Sequence, residues 1–433
     1  MSWSNWADNQ HAAPSRVVHP RDVDELAGTV KEAVTAGQRV KAVGSGHSFT
    51  SIAVSDGVQL NLSEMSGFVA ADRRTGLVTV QAGMPLHRLN ATLAELGLAL
   101  SNLGDIDAQT VAGALSTGTH GTGRRLGGLA TQVRAMELVL ADGSIVTTSS
   151  TDRPELFSAA RVGLGALGVL STVTLQAEPA FALHASEQPM ALPEILDELD
   201  ELVSTNDHFE FYWFPHTSRT LTKRNNRLPP GHATRPLGRA RAWLDDELVS
   251  NTLFGLTCRL GKAVPALVPR INNLAGQALS AREYSDASHR VFVSPRRVRF
   301  VEMEYAVPID AVGEALAGIA RVIAQNGLTV SFPVEVRFAA ADDIPLSTAS
   351  GRDSAYLAVH MFRGEPYEQY FRAVESVMNT LDGRPHWGKL HFQDAATLRS
   401  RYPRFEEFRS VRDAVDPERR FANSYQDRVL GWA

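Results

Sequence analysis

Hydrophobic positions in the first part of the chain change repeatedly between a helical and a strand period. Apolar side chains recur at helical spacing over 22–36, and the β-branched run RVKAVGSG follows and ends in glycines. The segment TGLVTVQAG alternates as a strand does, and a helix is predicted over 84–96. MELVLADGSIVTTSS predicts two strands joined at Asp142 and Gly143, and GALGVLSTVTLQ predicts another buried strand. Together these patterns predict a mixed α/β region.

The pattern changes near Pro179, after which glycines are scarcer and the predicted elements are longer. HFEFYWFP, VRFVEMEYAVP, LTVSFPVEVRF and SAYLAVHMF are typical of strands, and helical patterns lie at 309–326 and 366–381. We therefore predict an α+β protein of two domains, the first over 13–178 and the second over 179–433. The sheet of the second domain is expected to be mostly antiparallel.

Composition narrows the function classes. Hydrophobic residues make up 44% and charged residues 21%, which excludes a largely disordered or fibrous chain. The formal net charge of −5 gives no reason to expect a nucleic-acid partner or an anionic membrane. The segment 223–241 combines prolines with basic residues and is predicted to be an exposed loop. A nucleic-acid patch there is the weaker alternative, because interleaved aromatic residues are missing.

Cysteine usage and targeting signals point to a reducing compartment. Cys258 is the only cysteine, so neither an intramolecular disulfide nor a multi-cysteine metal site is possible. The first residues lack the basic start and apolar run of a secretory signal, and we find no apolar stretch long enough for an integral membrane segment. We expect a soluble, cytoplasmic protein that needs no metal.

A glycine-rich turn after the strand RVKAV is the first candidate site. Such a turn can expose several backbone N–H groups to a pyrophosphate. A nicotinamide fingerprint would need a third glycine where Phe49 stands, which disfavours that cofactor; an ordinary glycine turn is the other alternative. The candidate residues are Val43, Gly44, Ser45, Gly46, His47 and Ser48.

Two further segments are rich in glycine and hydroxyl residues. The segment 104–123 predicts a backbone-lined cradle for an extended polar ligand, and 163–169 is small enough to let the backbone approach a flat ring. The candidate residues are Gly104, Asp105, Thr110, Gly113, Ser116, Thr117, Gly118, His120, Gly168 and Val169.

These motifs also carry a family resemblance that extends over 5–430. VGSGHSFT, AGALSTGTHGTG and GALGVLSTVTL together resemble the PCMH-type FAD-binding domain of the vanillyl-alcohol oxidase superfamily. HWGK at 386–389 resembles the signature of its sugar-acid branch, which holds the aldonolactone oxidoreductases and the alditol oxidases. NLGDIDAQT, VEMEYAVP and SYQDRVLG are most similar to the actinobacterial gulonolactone group.

The resemblance implies FAD as cofactor. It implies a covalent bond between His47 and the flavin 8α-methyl carbon, and it makes His120 a structural member of the cradle. It also implies that the C-terminal end of the chain returns to the flavin.

Three residues are candidates for the chemistry. Glu335 and Arg337 lie two apart on a predicted strand and therefore share a face, where they could hold a polyol or a lactone. The resemblance implies that this pair meets the substrate; a surface ion pair is the alternative. Lys389 of HWGK would place a cation beside the flavin N1–C2 edge or a substrate oxygen, unless it is simply solvated. His386 is expected to support the site, and His360 to be a hydrogen-bonded core residue.

The reaction implied by the resemblance is hydride transfer from a secondary alcohol to flavin N5. The expected substrate is a sugar lactone, L-gulono-1,4-lactone or a relative, with oxygen or another electron acceptor. Oxidation of a polyol, as in an alditol oxidase, is the alternative within the class. A flavin reductase using a nicotinamide cofactor and a non-enzymatic flavin-storage protein are alternatives outside it.

Gly104 bears on the choice of electron acceptor. In the superfamily, the residue at this place gates the approach of oxygen to the ring, and alanine there blocks it in galactonolactone dehydrogenases. Glycine leaves a path about one methyl group wide, so we expect an oxidase more than a strict dehydrogenase.

Overall fold

Two β-sheets, one in each half of the chain, organise the fold. The computed structural model describes residues 2–238, 252–294 and 297–432. The predicted change from a mixed α/β region to a mostly antiparallel sheet is confirmed. A small parallel sheet in the first half of the chain contains three strands, in the order Arg16–Val18, Val58–Asn61 and Val40–Val43.

The first large sheet has five strands that pair antiparallel. Its order is Ile145–Ser149, Val133–Val139, Val169–Gln176, Leu77–Gln81 and Phe68–Asp72. The hairpin predicted at Asp142 and Gly143 is confirmed, and Gly143 has a φ of 82°, which favours glycine. The helices in this half are Val23–Thr35, Leu86–Glu95, Val111–Ser116 and Pro154–Ala160.

The second large sheet has eight strands, and all its recorded pairings are antiparallel. Its order is Arg282–Ala287, Ala182–Ala191, Arg219–Arg227, His208–Trp213, Val334–Ala339, Ser354–Phe362, Phe300–Pro308 and Arg384–Pro385. Two amphipathic helices, Val312–Gln325 and Glu368–Thr380, pack against each other beside it. Their close approach depends on Gly318, where a Cβ would lie 2.4 Å from Cγ1 of Val377.

Shorter elements complete the described residues. Two small strand pairs are Trp3–Ser4 with His11–Ala12 and Leu98–Ala99 with Glu178–Pro179. The other helices are Leu192–Asp197, Leu199–Thr205, Phe254–Ala263, Val268–Ala278, Ser288–Phe292, Ala395–Arg401, Phe405–Val415 and Ser424–Leu430. The 3₁₀ turns are Ser51–Ala53, Leu62–Glu64, Leu129–Gln132, Pro265–Leu267 and Ile309–Ala311.

The prediction of an exposed loop over 223–241 was wrong for the first residues of this range. The strand Arg219–Arg227 extends through its beginning, and Lys223 is buried there with its Nζ donating to the Val291 carbonyl at 3.1 Å. Residues 228–238 are largely exposed, as predicted, and 239–241 lie outside the described residues.

The C-terminal helix packs against the first half of the chain. Lys41 Nζ donates to Gln426 Oε1 at 2.6 Å and to the Phe421 carbonyl at 2.9 Å. Asn423 Nδ2 donates to the carbonyls of Ser51, Ile52 and Val54 at 2.9–3.1 Å. The C-terminal segment therefore packs against the small parallel sheet and the 3₁₀ turn Ser51–Ala53.

Two further observations bear on the predictions made from cysteine usage and hydropathy. Cys258 is buried, and burial raises the pKa of its thiol to about 12. Among the described residues, no helix combines the length and apolar character needed to cross a membrane.

Candidate active site

The first cavity lies in the N-terminal half and has a volume of about 440 Å³. The candidate turn 43–48 forms one wall, the segment 110–117 a second, and Gly168 and Val169 a third. Gly118 lines neither this cavity nor the next. It follows the helix Val111–Ser116 with a φ of 76°, and its N–H donates to the Leu115 carbonyl at 3.1 Å.

The walls of this cavity fit an FAD. A Cβ at Gly44 would lie 2.5 Å from Thr110 Oγ1, and one at Gly83 would lie 2.0 Å from the Leu62 carbonyl, so these glycines let neighbouring segments of the wall approach each other closely. Within the described residues, the backbone N–H groups of 45–48 donate to no protein acceptor. Free N–H groups on a glycine turn are the donor set that a pyrophosphate requires.

The second cavity, of about 350 Å³, adjoins the first. His47, Ser48, Gln109 and Thr117 line both cavities, so the two share a wall. The second cavity is also lined by other predicted residues, which come from distant parts of the sequence: Gly104, Asp105, His120, Glu335, Arg337 and Lys389. A ring placed in the first cavity at His47 would therefore face the charged residues of the second.

Glu335 and Arg337 form a buried ion pair on one face of the strand Val334–Ala339. Arg337 Nη2 lies 2.5 Å from Glu335 Oε1, and the exposed fractions of the two residues are 8% and 7%. Glu210 contacts Arg337 Nε at 3.0 Å, and Asp105 contacts Nη2 at 3.5 Å. Burial opposes the charge, but the carboxylates, Glu335 first, hold the pKa of Arg337 well above its usual range. The pair is thus not on the outer surface.

Lys389 pairs with Glu302, and both residues line the second cavity. Burial opposes the charge of the lysine, but Glu302 and then Glu304 raise its pKa. Burial alone would raise the pKa of Glu302, yet Lys389 and His360 lower it to about 2. Both groups are therefore ionised near neutral pH, and Lys389 is a fixed cation.

His360 combines the expected core position with a place at the cavity. Its Nδ1 lies 3.3 Å from the Pro333 carbonyl, its ring stacks on Phe332, and its Nε2 lies 3.6 Å from Glu302. It also lines the second cavity.

A third buried group joins His120, Glu304 and His386. His120 Nε2 lies 3.0 Å from Glu304 Oε1, and His120 Nδ1 lies 2.9 Å from the Gly121 carbonyl. Both ring nitrogens of His120 therefore lie within hydrogen-bond distance of oxygen atoms.

One possible ligand atom from each of these three residues lies within 4.8 Å of the other two, close enough for a metal ion. However, His386 Nδ1 accepts the Gly388 N–H at 3.1 Å, which leaves the hydrogen of the neutral ring on Nε2. Burial lowers the pKa of His386 to about 4, so the ring is neutral. The arrangement fits a hydrogen-bonded network better than a metal site.

Sequence reasoning missed several residues of the second cavity. The sequence predicts a strand over Glu302 and Glu304, and no role in the site was predicted for them. Two glutamates two positions apart in an apolar strand do indicate buried, paired charges. Two residues behind the cavity wall were missed as well: Glu210 contacts Arg337 Nε at 3.0 Å, and Tyr212 donates to Glu335 Oε1 at 3.1 Å. Trp6 also lines the cavity, and its position in the sequence gave no signal.

Comparisons with known proteins agree with this geometry. Residues 14–149 match the model of an FAD binding domain, and residues 173–429 match the model of D-arabinono-1,4-lactone oxidase. The chain has the fold of cholesterol oxidase from B. sterolicum, with a TM-score of 0.81 and 18% identity over 99% of this chain and 96% of that one.

Two curated relatives match nearly end to end. L-gulono-1,4-lactone dehydrogenase of Mycobacterium tuberculosis is 45% identical over 99% of both chains. L-gulonolactone oxidase of Bos taurus is 35% identical over 99% of this chain and 98% of its own. The resemblance inferred from the motifs is therefore confirmed, and the chain belongs to the D-arabinono-1,4-lactone oxidase family.

Proposed function

We propose that this protein is an FAD-dependent aldonolactone oxidoreductase that oxidises L-gulono-1,4-lactone or a close relative at the hydroxyl next to the ring carbonyl. The observation that carries the proposal is the pair of fixed charges, Arg337 and Lys389, on a cavity that shares the wall at His47 with the cradle for FAD. We assign residues 13–178 to FAD binding and 179–433 to the substrate.

Bound FAD would supply a hydride acceptor. The chain's own residues bind and orient the lactone. Arg337 offers N–H donors to hydroxyl or carbonyl oxygens, and Glu335 accepts from a hydroxyl group. Lys389, fixed by Glu302, stabilises negative charge that develops on an oxygen as the hydroxyl proton leaves.

His47 is the residue to which we assign covalent attachment of FAD. It lines both cavities, and burial, followed by the charge of Lys389, lowers the pKa of its imidazole to about 4. A neutral imidazole carries the lone pair that bond formation needs.

The substrate and the acceptor are the finer parts of the proposal. The names of the relatives favour a sugar lactone, and no observation favours a polyol. Oxygen is one acceptor, since Gly104 lines the substrate cavity without a side chain.

Steady-state assays over aldonolactones and alditols, each with oxygen and with an artificial acceptor, test the proposal. We expect Glu335→Gln to lower kcat by about two to four orders of magnitude with flavin content unchanged, because the neutral amide lacks the charge and the basicity of the carboxylate. Glu314→Gln, an exposed glutamate on the helix Val312–Gln325, is the control. A wild type inactive on every lactone, or a Glu335→Gln variant with normal kcat, would refute it.

A further inference from the structure

Residues 3–12 form a small β-hairpin that lies on the loop carrying His47. Its strands Trp3–Ser4 and His11–Ala12 pair antiparallel, and the connection turns at Asp8, whose φ is 58°. The contacts of the hairpin with this loop indicate its role in the site.

Hydrogen bonds tie the hairpin to the backbone on both sides of His47. They are Trp6 N–H to the Gly46 carbonyl at 2.8 Å, Asn5 Nδ2 to the Ser48 carbonyl at 2.9 Å, and Asn9 Nδ2 to the Phe49 carbonyl at 2.9 Å. Asp8 also pairs with Arg363, at the end of a strand in the second large sheet. The hairpin thus fixes the loop and connects it to the substrate half of the protein.

The imidazole of His47 packs against an aromatic side chain of the hairpin. The indole of Trp6 stacks on it, with centroids 5.5 Å apart and an interplanar angle of 22°. Among the described residues, neither ring nitrogen of His47 has a hydrogen-bond partner. Trp6 is itself held edge-on by Phe300, at 5.4 Å and 73°. Stacking on Trp6 is therefore the contact that sets the plane of the imidazole.

We propose that Trp6 is a positioning residue for covalent attachment of FAD, because its indole holds the His47 imidazole in the orientation in which the bond forms. This inference rests on the proposed attachment to His47. Attachment joins a ring nitrogen to the 8α carbon and releases two protons, one from the methyl group and one from the imidazole. The two electrons remain in the flavin until the electron acceptor of the enzyme removes them.

The test measures bond formation instead of turnover. The chain is produced in riboflavin-starved cells and mixed with excess FAD, and samples are acid-precipitated over time; flavin in the pellet is covalently bound. We expect Trp6→Leu to slow attachment by roughly ten- to a hundredfold, the cost of a misplaced reacting group. Trp6→Phe, which keeps a flat ring, should restore part of the rate.

Trp432→Leu is the matched control, since Trp432 is 62% exposed and lies outside both cavities. Quenching of FAD fluorescence gives the affinity before the bond forms, and unchanged affinity shows that Trp6→Leu is folded. If the Trp6→Leu variant does not fold, the Trp6→Met variant is used in its place. Equal attachment rates in wild type and the non-aromatic variant would overturn the role of Trp6. A wild type that releases all its flavin into acid would overturn the attachment itself.

Discussion

Arg337 and Lys389, two cations that line the substrate cavity, are each paired with carboxylates. Arg337 contacts Glu335, Glu210 and Asp105, and Lys389 contacts Glu302. Removing Glu302 would leave Lys389 without this ion-pair partner, a loss that costs up to about 5 kcal/mol where such a pair is fully buried. Arg337 would keep two carboxylates if Glu335 were removed. Substitutions that keep shape and polarity, such as Glu to Gln, are therefore the informative ones at this site.

Gly104 carries a prediction about oxygen. A Cβ there would lie 3.2 Å from the His120 carbonyl and from Thr119 Cγ2, so alanine fits after a small shift. Because the added methyl group narrows the path along the cavity wall, we expect Gly104→Ala to slow reoxidation of the reduced flavin by roughly tenfold, about 1.4 kcal/mol in barrier. Flavin reduction by substrate should change little.

Rapid mixing of reduced enzyme with dissolved oxygen measures this rate. Gly28→Ala is the control, since a Cβ at Gly28 meets nothing within 4 Å. If the Gly104→Ala and wild-type enzymes reoxidise equally fast, oxygen reaches the ring by another route.

Which site residues could be predicted depended on whether their signal was local. Turn 43–48 and the pair Glu335 and Arg337 stand out within a few positions of sequence, and they do line the two cavities. The partner of Lys389 is Glu302, on a strand far away in the sequence, and Trp6 is brought to His47 by a separate hairpin. Contacts of that range depend on the packed fold and leave no periodic pattern.

At the scale of elements, strands with a regular alternation were predicted well and interrupted ones were not. LTVSFPVEVRF reads as one strand, but the structure has a strand only over Val334–Ala339. Pro333 has no N–H to donate, and Val330 N–H instead donates to His216 Nε2 at 3.2 Å. The strand Arg219–Arg227 was partly predicted as a polar loop, because Lys223 is a charged residue whose side chain is buried.

The contact between the helices Val312–Gln325 and Glu368–Thr380 gives a stability prediction. Any side chain at Gly318 collides with Val377, so we expect Gly318→Leu to lower the free energy of unfolding by about 1–3 kcal/mol. Gly313→Leu, in the first turn of the same helix, adds a Cβ that meets nothing within 4 Å, and the change should be neutral or stabilising. Urea unfolding of both variants measures the difference. Equal destabilisation would show that the helix contact is not the cause.

For the whole molecule, buried histidines make stability depend on pH. The pKa of His386 is about 4 in the folded chain, mainly because burial disfavours its charge, and its ordinary value is 6.5. Between these values the unfolded chain binds a proton that the folded chain does not. Protonation of His386 in the unfolded chain therefore lowers the free energy of unfolding as the pH falls from about 6.5 to about 4, by at most about 3 kcal/mol.

Urea unfolding at several pH values in this window tests the effect. The His386→Gln variant lacks the titrating ring, so its deficit relative to wild type should narrow as the pH falls. A deficit that stays constant across the window would mean that His386 does not titrate as described.

The charges around the substrate cavity also have a consequence for lactone chemistry in water. Its described lining residues include five carboxylates, Asp105, Asp107, Glu302, Glu304 and Glu335, and three permanent cations, Arg297, Arg337 and Lys389. A sugar lactone is neutral, but hydrolysis opens it to an aldonate anion. The surplus of negative charge repels that anion. We therefore expect the ring-opened acid to compete poorly for the site, so that an ageing lactone solution loses substrate without gaining an inhibitor.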